Sequence, residues 1–334
     1  MKLLVMGGTR FNGLFLVREL VRHGHDVTIF NRGVTEAKLP PEVHRLYGDR
    51  KDHSQLREVL GKEEFDGIYD VSAYTLDDVQ SMVELFQGHT GHYIFASSTV
   101  VYAATKVLPI TEESPVDRTP RQSDYGRNKL ECEDYLLSVY RRSGFPVTST
   151  RFSMVFGPNN IIPDREQRMF IRLLRGRKTL IPGRGTTLSQ VGHVEDEARA
   201  LRLMLLNPRT YGQWYSVTGT QYWSDEGYVD TFGKVTGIEP KKVFVPDQIM
   251  DELWPTMAHG RPLLPRLAAY IHHWNESTIF SIDKLRDHLG FVPEYTFESA
   301  VRQTYEWFLQ EGLDKTSEFD FASEDSLLER LGQA

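Results

Sequence analysis

Tyr125-Gly-Arg-Asn-Lys129 places a phenol and an ammonium four residues apart. On a helix that spacing puts both side chains on one face. A nearby ammonium stabilises a phenolate and draws a tyrosine down from its usual pKa of about 10. Such a pair can give or take a proton while a hydride leaves or reaches the adjoining carbon. Upstream, Ala96-Ser-Ser-Thr-Val-Val-Tyr102 follows an apolar run, and Ser98 at the end of that strand can polarise a carbonyl or hydroxyl. Tyr-x-x-x-Lys alone recurs by chance. Its weight here comes from its position behind a strand-terminal serine pair and a glycine loop.

That loop is Gly7-Gly-Thr-Arg-Phe-Asn-Gly13, between a first strand and a first helix. A turn of this kind brings backbone N–H groups and a helix dipole against a pyrophosphate. Gly7 supplies the turn, Gly13 allows close helix–strand packing, and Arg10 stands where a middle glycine is usual. The second strand ends in Asn31-Arg32-Gly33. An arginine there, rather than an acid, suits the 2′-phosphate of NADP. The cofactor expected is therefore NAD(P), with NADP favoured over NAD. Asp49, in Gly48-Asp-Arg50, is placed to meet the adenine, although a plain turn aspartate fits equally.

The elements that must hold these residues alternate. Leu3–Met6 reads as a strand buried on both faces, Leu14–His23 as a one-sided apolar helix closed by Gly24, and Asp26–Phe30 as a second strand. Asp66–Val71, His92–Ala96 and Val147–Arg151 are further strands, with helices near 52–60 and 76–88. Repeated strand–helix alternation predicts an α/β fold, a doubly wound parallel sheet. Beyond about residue 158 the pattern loosens, which predicts a smaller α/β substrate domain interleaved with the first. The boundaries expected are 1–158 for the cofactor domain, with segments near 186–220 returning to it, and 159–334 for the substrate domain. A last short surface helix is expected over Glu324–Leu331 in an acidic tail.

Bulk properties fit. The chain has 334 residues, 40% of them hydrophobic, and a net charge of −7. It is long enough for a large core. It carries no basic run of the kind a nucleic-acid binder uses, so that class is disfavoured. The single Cys132 reads as a small packing residue, consistent with a reducing cytoplasm. No apolar stretch approaches the roughly 18 residues of a membrane helix, and Met1–Gly8 is too short for a signal peptide. A cytoplasmic protein with no membrane partner is expected.

The ordered set, from Lys2 to about Leu309, resembles the extended short-chain dehydrogenase/reductases, the nucleotide-sugar epimerases, dehydratases and reductases. The resemblance implies a Rossmann-type sheet, Tyr125 as acid/base, Lys129 holding the nicotinamide ribose, and Ser98 as the strand-end hydroxyl. Arg151-Phe-Ser-Met-Val-Phe-Gly-Pro158 is similar to the family's Arg-x-x-Asn-x-x-Gly-Pro, His193-Val-Glu-Asp196 to its His-Val-x-Asp, and Gly219 to its domain-linking turn. The cofactor contacts expected are Gly7, Thr9, Arg10, Phe11, Asn12, Gly13, Asn31, Arg32, Asp49, Arg50, Ser72 and Ala73, with Tyr125 and Lys129. The substrate contacts expected are Tyr74, Ser98, Thr99, Met154, Arg168 and Arg184. The substrate implied is a sugar-like, nucleotide-linked alcohol or ketone. Epimerisation and net oxidation or reduction both stay open. A helix pair including residues 129–141 forms a dimer interface in the family, which makes a homodimer an expectation.

Three departures stand out. Met154 replaces the Asn that touches the sugar nucleotide's diphosphate, and Ser189 replaces an Arg four residues before His193. Arg165, Arg168 and Arg184 are candidates for replacement charge. Thr99-Val100 stands where 4,6-dehydratases carry Asp-Glu, which disfavours elimination. Gly-Gly-Thr-Arg-Phe also resembles the branch containing chloroplast stem-loop-binding proteins, RNA-associated relatives lacking a complete Tyr-x-x-x-Lys. A cofactor-binding RNA or protein scaffold is thus the alternative, and retention of both residues favours an enzyme. His23-Gly-His25 and His272-His273 lack a second ligand pair at zinc spacing, so no metal is expected. Tyr211–Tyr215 reads as a packing strand. Trp254, His259, Arg261, His272, His273 and Trp274 are candidates for a substrate-pocket wall.

Overall fold

The computed structural model describes residues 1–162, 164–257 and 272–333. The first half alternates as its pattern predicts: β1 (Lys2–Met6), α1 (Phe11–Arg22), β2 (Asp26–Asn31), β3 (His44–Tyr47), α2 (His53–Leu60), β4 (Gly67–Asp70) and α3 (Leu76–Phe86). It continues with β5 (Tyr93–Ser98), α4 (Asp124–Ser143) and β6 (Val147–Phe152). Then come β7 (Met154–Phe156), α5 (Glu166–Leu174), β8 (Lys178–Pro182), β9 (Leu188–His193), α6 (Val194–Met204) and β10 (Gln213–Val217). The chain proceeds through β11 (Tyr222–Ser224), α7 (Asp225–Thr236), β12 (Lys241–Val245), α8 (Asp247–Met257) and α9 (Asp283–Leu289). It closes with α10 (Phe297–Gln310), α11 (Leu313–Thr316) and α12 (Ala322–Arg330).

Seven parallel strands form one sheet in the order β10-β6-β5-β4-β1-β2-β3. Successive side chains of a strand face opposite sides, and β1 shows the consequence. Leu3 and Val5 enter a core with α1, α6 and Leu285 of α9, while Leu4 and Met6 enter a second core with α2, α3 and α4. Cys132 is one of the buried packing residues of that second core. The first helix begins at Phe11, directly from the glycine turn, three residues before its apolar periodicity becomes visible.

From β7 onward the chain builds a separate aromatic core in which Phe156, Phe170, Trp223, Tyr228, Phe232 and Phe297 meet. Two small sheets flank it, β11-β9-β7 and β12-β8. The Tyr211–Tyr215 segment supplies the start of β10 on the edge of the large sheet. Gly219 turns the chain out of β10 with its N–H on the Val191 carbonyl (2.9 Å). A Cβ there would stand 2.6 Å from that carbonyl oxygen, so glycine is required. Among the described residues no helix is long and apolar enough to cross a membrane.

The C-terminal helix departs from the expectation of a simple surface element. Leu327 and Leu328 are buried, and the Glu324 carboxylate accepts from both Arg168 (2.8 Å) and Arg172 (2.7 Å) of α5. The tail therefore clamps α5. Removing one partner of such a buried cluster strands the others' charge. Glu324→Leu is expected to lower unfolding free energy by about 3–5 kcal/mol, read as a lower urea midpoint.

Two buried histidines set an acid limit. Leu206 N–H donates to His92 Nδ1 (3.1 Å), so Nε2 carries the proton and donates to Thr148 Oγ1 (2.8 Å). Burial holds His92 down at about 3 and His193 at about 4. In the unfolded chain each takes a proton near pH 6.5, the ordinary histidine pKa of about 6.5. Their stabilising effect is thus fully present above that pH and is lost as pH falls towards the folded values. Between pH 7 and pH 5 the histidines pull the thermal unfolding temperature down while the raised carboxyls of Glu166 and Glu197 push it up. His92→Gln, neutral and able to make both bonds, should therefore lose less or gain more over that range than the parent.

Candidate active site

Strand order reverses between β1 and β4, and at such a point the flanking loops diverge and leave a crevice beyond the carboxyl ends of the strands. A cavity of about 620 Å³ occupies it, within the range of ligand sites. Its wall comes from the glycine turn after β1, Asn31–Thr35 after β2, Val71 and Ser72 after β4, Ala96–Ser98 of β5, Tyr125 and Lys129 of α4, and the segment after β6.

The glycine turn is shaped for close approach. Gly7 has φ +110° and Gly8 φ +88°, conformations that L side chains rarely adopt. A Cβ on Gly13 would stand 2.7 Å from the Gly8 nitrogen and 2.9 Å from its Cα, backbone that cannot yield. The turn then feeds α1, whose N-cap Arg10 offers no side-chain acceptor and whose first turn holds no acid. Its leading N–H groups are left for an anion from outside. Thr9, Arg10, Phe11 and Asn12 all line the cavity. Asn12 Nδ2 also donates to Glu197 Oε2 (3.2 Å), a carboxyl that burial pushes well above the usual range. These features fit a dinucleotide pyrophosphate.

Arg32 lines the rim after β2, beside Asn31, whose Oδ1 accepts from Gly33 N (2.7 Å). Asp49 and Arg50 do not join them. Asp49 turns its carboxylate to Lys51 N (3.0 Å), and it lies outside the cavity wall. Arg50 is drawn inward to Asp70 (2.8 and 3.0 Å) and Asp78 (3.0 Å), with a further bond to Ser72 Oγ (3.0 Å). An ion pair buried this deeply is not released for a ligand. Arg50 thus fixes the floor under Ser72.

At the other end α4 brings Tyr125 and Lys129 to the end of β5. Lys129 is 3% exposed, and its ammonium donates to the carbonyls of Ala73 (2.7 Å) and Ala96 (2.6 Å). Ala73 enters through that carbonyl and not through the cavity wall. Burial brings Lys129 down to about 8. Tyr125 is 42% exposed and lines the cavity, near Tyr74 (ring centroids 6.3 Å). The walls' exclusion of water and the Tyr74 phenol push the Tyr125 hydroxyl up to about 12, against the opposing pull of Ser98 and Arg165. The Lys129 ammonium lies 5.5 Å from the Tyr125 ring centre and donates to the two carbonyls.

Four expected substrate contacts lie elsewhere. Thr99 is buried behind Ser98 and does not reach the wall. Met154, 2% exposed, packs in the aromatic core of the second body. Arg168 is bound to Glu324, and Arg184 is on the surface away from the cavity. Trp254 and Trp274 pack around Leu180 and Val245, and neither they nor His272 and His273 reach the wall. His259 and Arg261 lie outside the described residues. Among the described residues no group of three or more His, Cys, Asp or Glu could hold a metal.

The wall also contains residues that pattern alone does not single out. Gly8, Ser153, Asn160, Ile161 and Ile162 line it, beside Arg165, one of the expected candidates for replacement charge. The doubled glycine announced Gly8. The others follow β6 in a segment without periodicity. Asn160 Nδ2 donates to both Glu166 oxygens (2.9 Å each), and Ile162 N donates to Asn160 Oδ1 (3.0 Å), so this segment is tied to the start of α5. The ionisable side chains of the wall are Arg10, Arg32, Tyr74, Tyr125, Lys129 and Arg165, with no carboxylate among the described residues.

Comparison with known proteins accords with this site. A model of the NAD dependent epimerase/dehydratase family matches residues 3–217. The Arabidopsis thaliana chloroplast stem-loop binding protein of 41 kDa b is 31% identical, over 98% of this chain and 84% of its own. A UDP-glucose 4-epimerase of Corynebacterium glutamicum is 28% identical, over 89% of this chain and 92% of its own. The solved dTDP-glucose 4,6-dehydratase of Bacillus anthracis, in complex with NAD, shares the fold with a TM-score of 0.75 at 20% identity, covering 94% of this chain and 98% of that one. The likeness to extended short-chain dehydrogenase/reductases read from the glycine turn, Tyr125 and Lys129 is one of descent, and the chain belongs to the NAD dependent epimerase/dehydratase family.

Proposed function

We propose that this chain is an NAD(P)-dependent epimerase or oxidoreductase acting on a sugar-like, nucleotide-linked alcohol or ketone. The observation that carries the reading is the meeting of Ser98, Tyr125 and Lys129 in one cavity with the glycine turn. Residues 1–158 would chiefly hold the cofactor and 159–334 the substrate. Gly7 to Gly13 would seat the pyrophosphate against the start of α1, and Ser72 and Lys129 would meet the nicotinamide ribose. Arg10 and Arg32, with no acid beside them on the wall, favour the 2′-phosphate of NADP.

A bound nicotinamide supplies the hydride acceptor and donor. Tyr125 moves the proton at the substrate oxygen: as phenolate it takes the hydroxyl proton during oxidation, and as phenol it returns one during reduction. Ser98 donates a hydrogen bond to the same oxygen and steadies its developing charge. Lys129 fixes the α4–β5 geometry through its two carbonyl bonds.

Tyr125→Phe should lower turnover by about 10²–10⁴-fold while dinucleotide affinity, measured by fluorescence titration, stays nearly intact. Retention of most activity would overturn the assignment. The nucleotide released on denaturing the purified protein reports the reaction type, since tight retention favours epimerisation and an empty site favours a reductase. Arg32→Ala should weaken NADPH binding roughly tenfold, a loss of about 1.4 kcal/mol, with little change for NADH.

The stem-loop-binding relative supports a second reading, a cofactor-binding scaffold for RNA. That reading requires hairpin RNA binding with a steep salt dependence that survives Tyr125→Phe. The net charge of −7 and the complete Tyr-x-x-x-Lys favour the enzyme.

A further inference from the structure

Met154 and Ser189 remove the side chains with which the family would grip a diphosphate, and the structure gives neither position access to the cavity. Met154 is in the aromatic core, and Ser189 is buried in β9 opposite Trp223. Of Arg165, Arg168 and Arg184, only Arg165 lines the wall. It immediately precedes α5, the helix that Glu324 clamps through Arg168 and Arg172, so its backbone is carried by a fixed element. Its guanidinium spends one bond on the Val155 carbonyl (Nη1, 3.0 Å) and has no ion pair among the described residues. A guanidinium has five N–H donors in a fork suited to oxyanions, and this one, on the cavity wall, gives a single bond to the described residues.

The nearby acids Glu166 and Glu197 are buried and line no part of the cavity wall. The other wall arginines serve a different place. Arg32 follows β2, whereas Arg165 follows β7 and meets the cavity at the end where its charge acts on the Tyr125 hydroxyl. Ile161 and Ile162, 55% and 42% exposed, line the same end and offer an apolar edge to the rest of the ligand.

We infer that Arg165 anchors an anionic substituent, phosphoryl or carboxylate, of the substrate that reacts at Tyr125. The inference rests on the hydride-transfer reading and names the substrate class for that site. It places the anion on the β6–α5 side of the cavity, where a substrate is gripped by one arginine fork and not by the family's Asn and Arg.

The test uses the full chain loaded with NADPH, and titrates it calorimetrically with inorganic phosphate, glucose 1-phosphate, glucuronate, UDP-glucose and glucose. An anionic probe should bind more tightly than glucose, and Arg165→Met should weaken that binding at least tenfold, about 1.4 kcal/mol. Arg165→Lys should fall between, since it keeps the charge and loses the fork. NADPH affinity and unfolding temperature should be unchanged in both variants. The probe that responds most distinguishes a monoester, a diphosphate and a carboxylate. The inference is overturned if no anionic probe exceeds glucose, if Arg165→Met binds them as well as the parent, or if it loses NADPH instead. Failure of the hydride-transfer reading is separate, since it shows as turnover surviving Tyr125→Phe or as no dinucleotide binding at all.

Discussion

A parallel sheet has no face it can leave to water, and this requirement organises the molecule. Each crossover must return over one face or the other, so β1 sends alternate side chains into two cores and every neighbouring strand does the same. Helices on both faces mean that the chain winds outward in two directions from the centre. The winding reverses between β1 and β4. The loops leaving those two strands part there, and the cavity is the space between them. The site is therefore a consequence of covering the sheet, and needs no element of its own.

The floor of that space is held by two buried cations. Arg50 locks to Asp70 and Asp78 behind Ser72, and Lys129 ties α4 to the carbonyls of Ala73 and Ala96. Both are buried, and a buried charge persists only where partners satisfy it. Their partners are backbone and acids of the sheet's carboxyl edge, so the edge itself is made rigid. Tyr125 rides on α4 one turn before Lys129 and is placed by the same bonds. The free cations, Arg10, Arg32 and Arg165, stand on the wall above this floor, which gives an acidic protein a cationic cavity.

The second body acts on the cavity through α5. Its aromatic core packs one face of that helix, and α12 covers another through Glu324. Asn160, just after β7, is bonded to Glu166 of that fixed helix, and Arg165 directly precedes it. A tail at the far end of the chain thus supports one wall of a site whose other parts come from the first half.

The sequence by itself determined the frame. The alternating strands, the glycine turn, the parallel sheet, the Ser98, Tyr125 and Lys129 set and the family were all legible, because each depends on local pattern: short unbroken apolar runs, the helical period of about 3.6, or a turn that only glycine can make. What tertiary structure decided was the fate of individual charges. Arg50, Arg165 and Arg168 look alike in the chain, yet one is paired beneath the floor, one faces the cavity and one holds the C-terminal helix. Lys129 and Tyr125 share a helix face, yet the ammonium turns to carbonyls that strand pairing delivers from residues 73 and 96. A long side chain's partner is set by which distant backbone or acid the fold brings within 3 Å, about one hydrogen-bond length, and that information is not written in its neighbours along the chain.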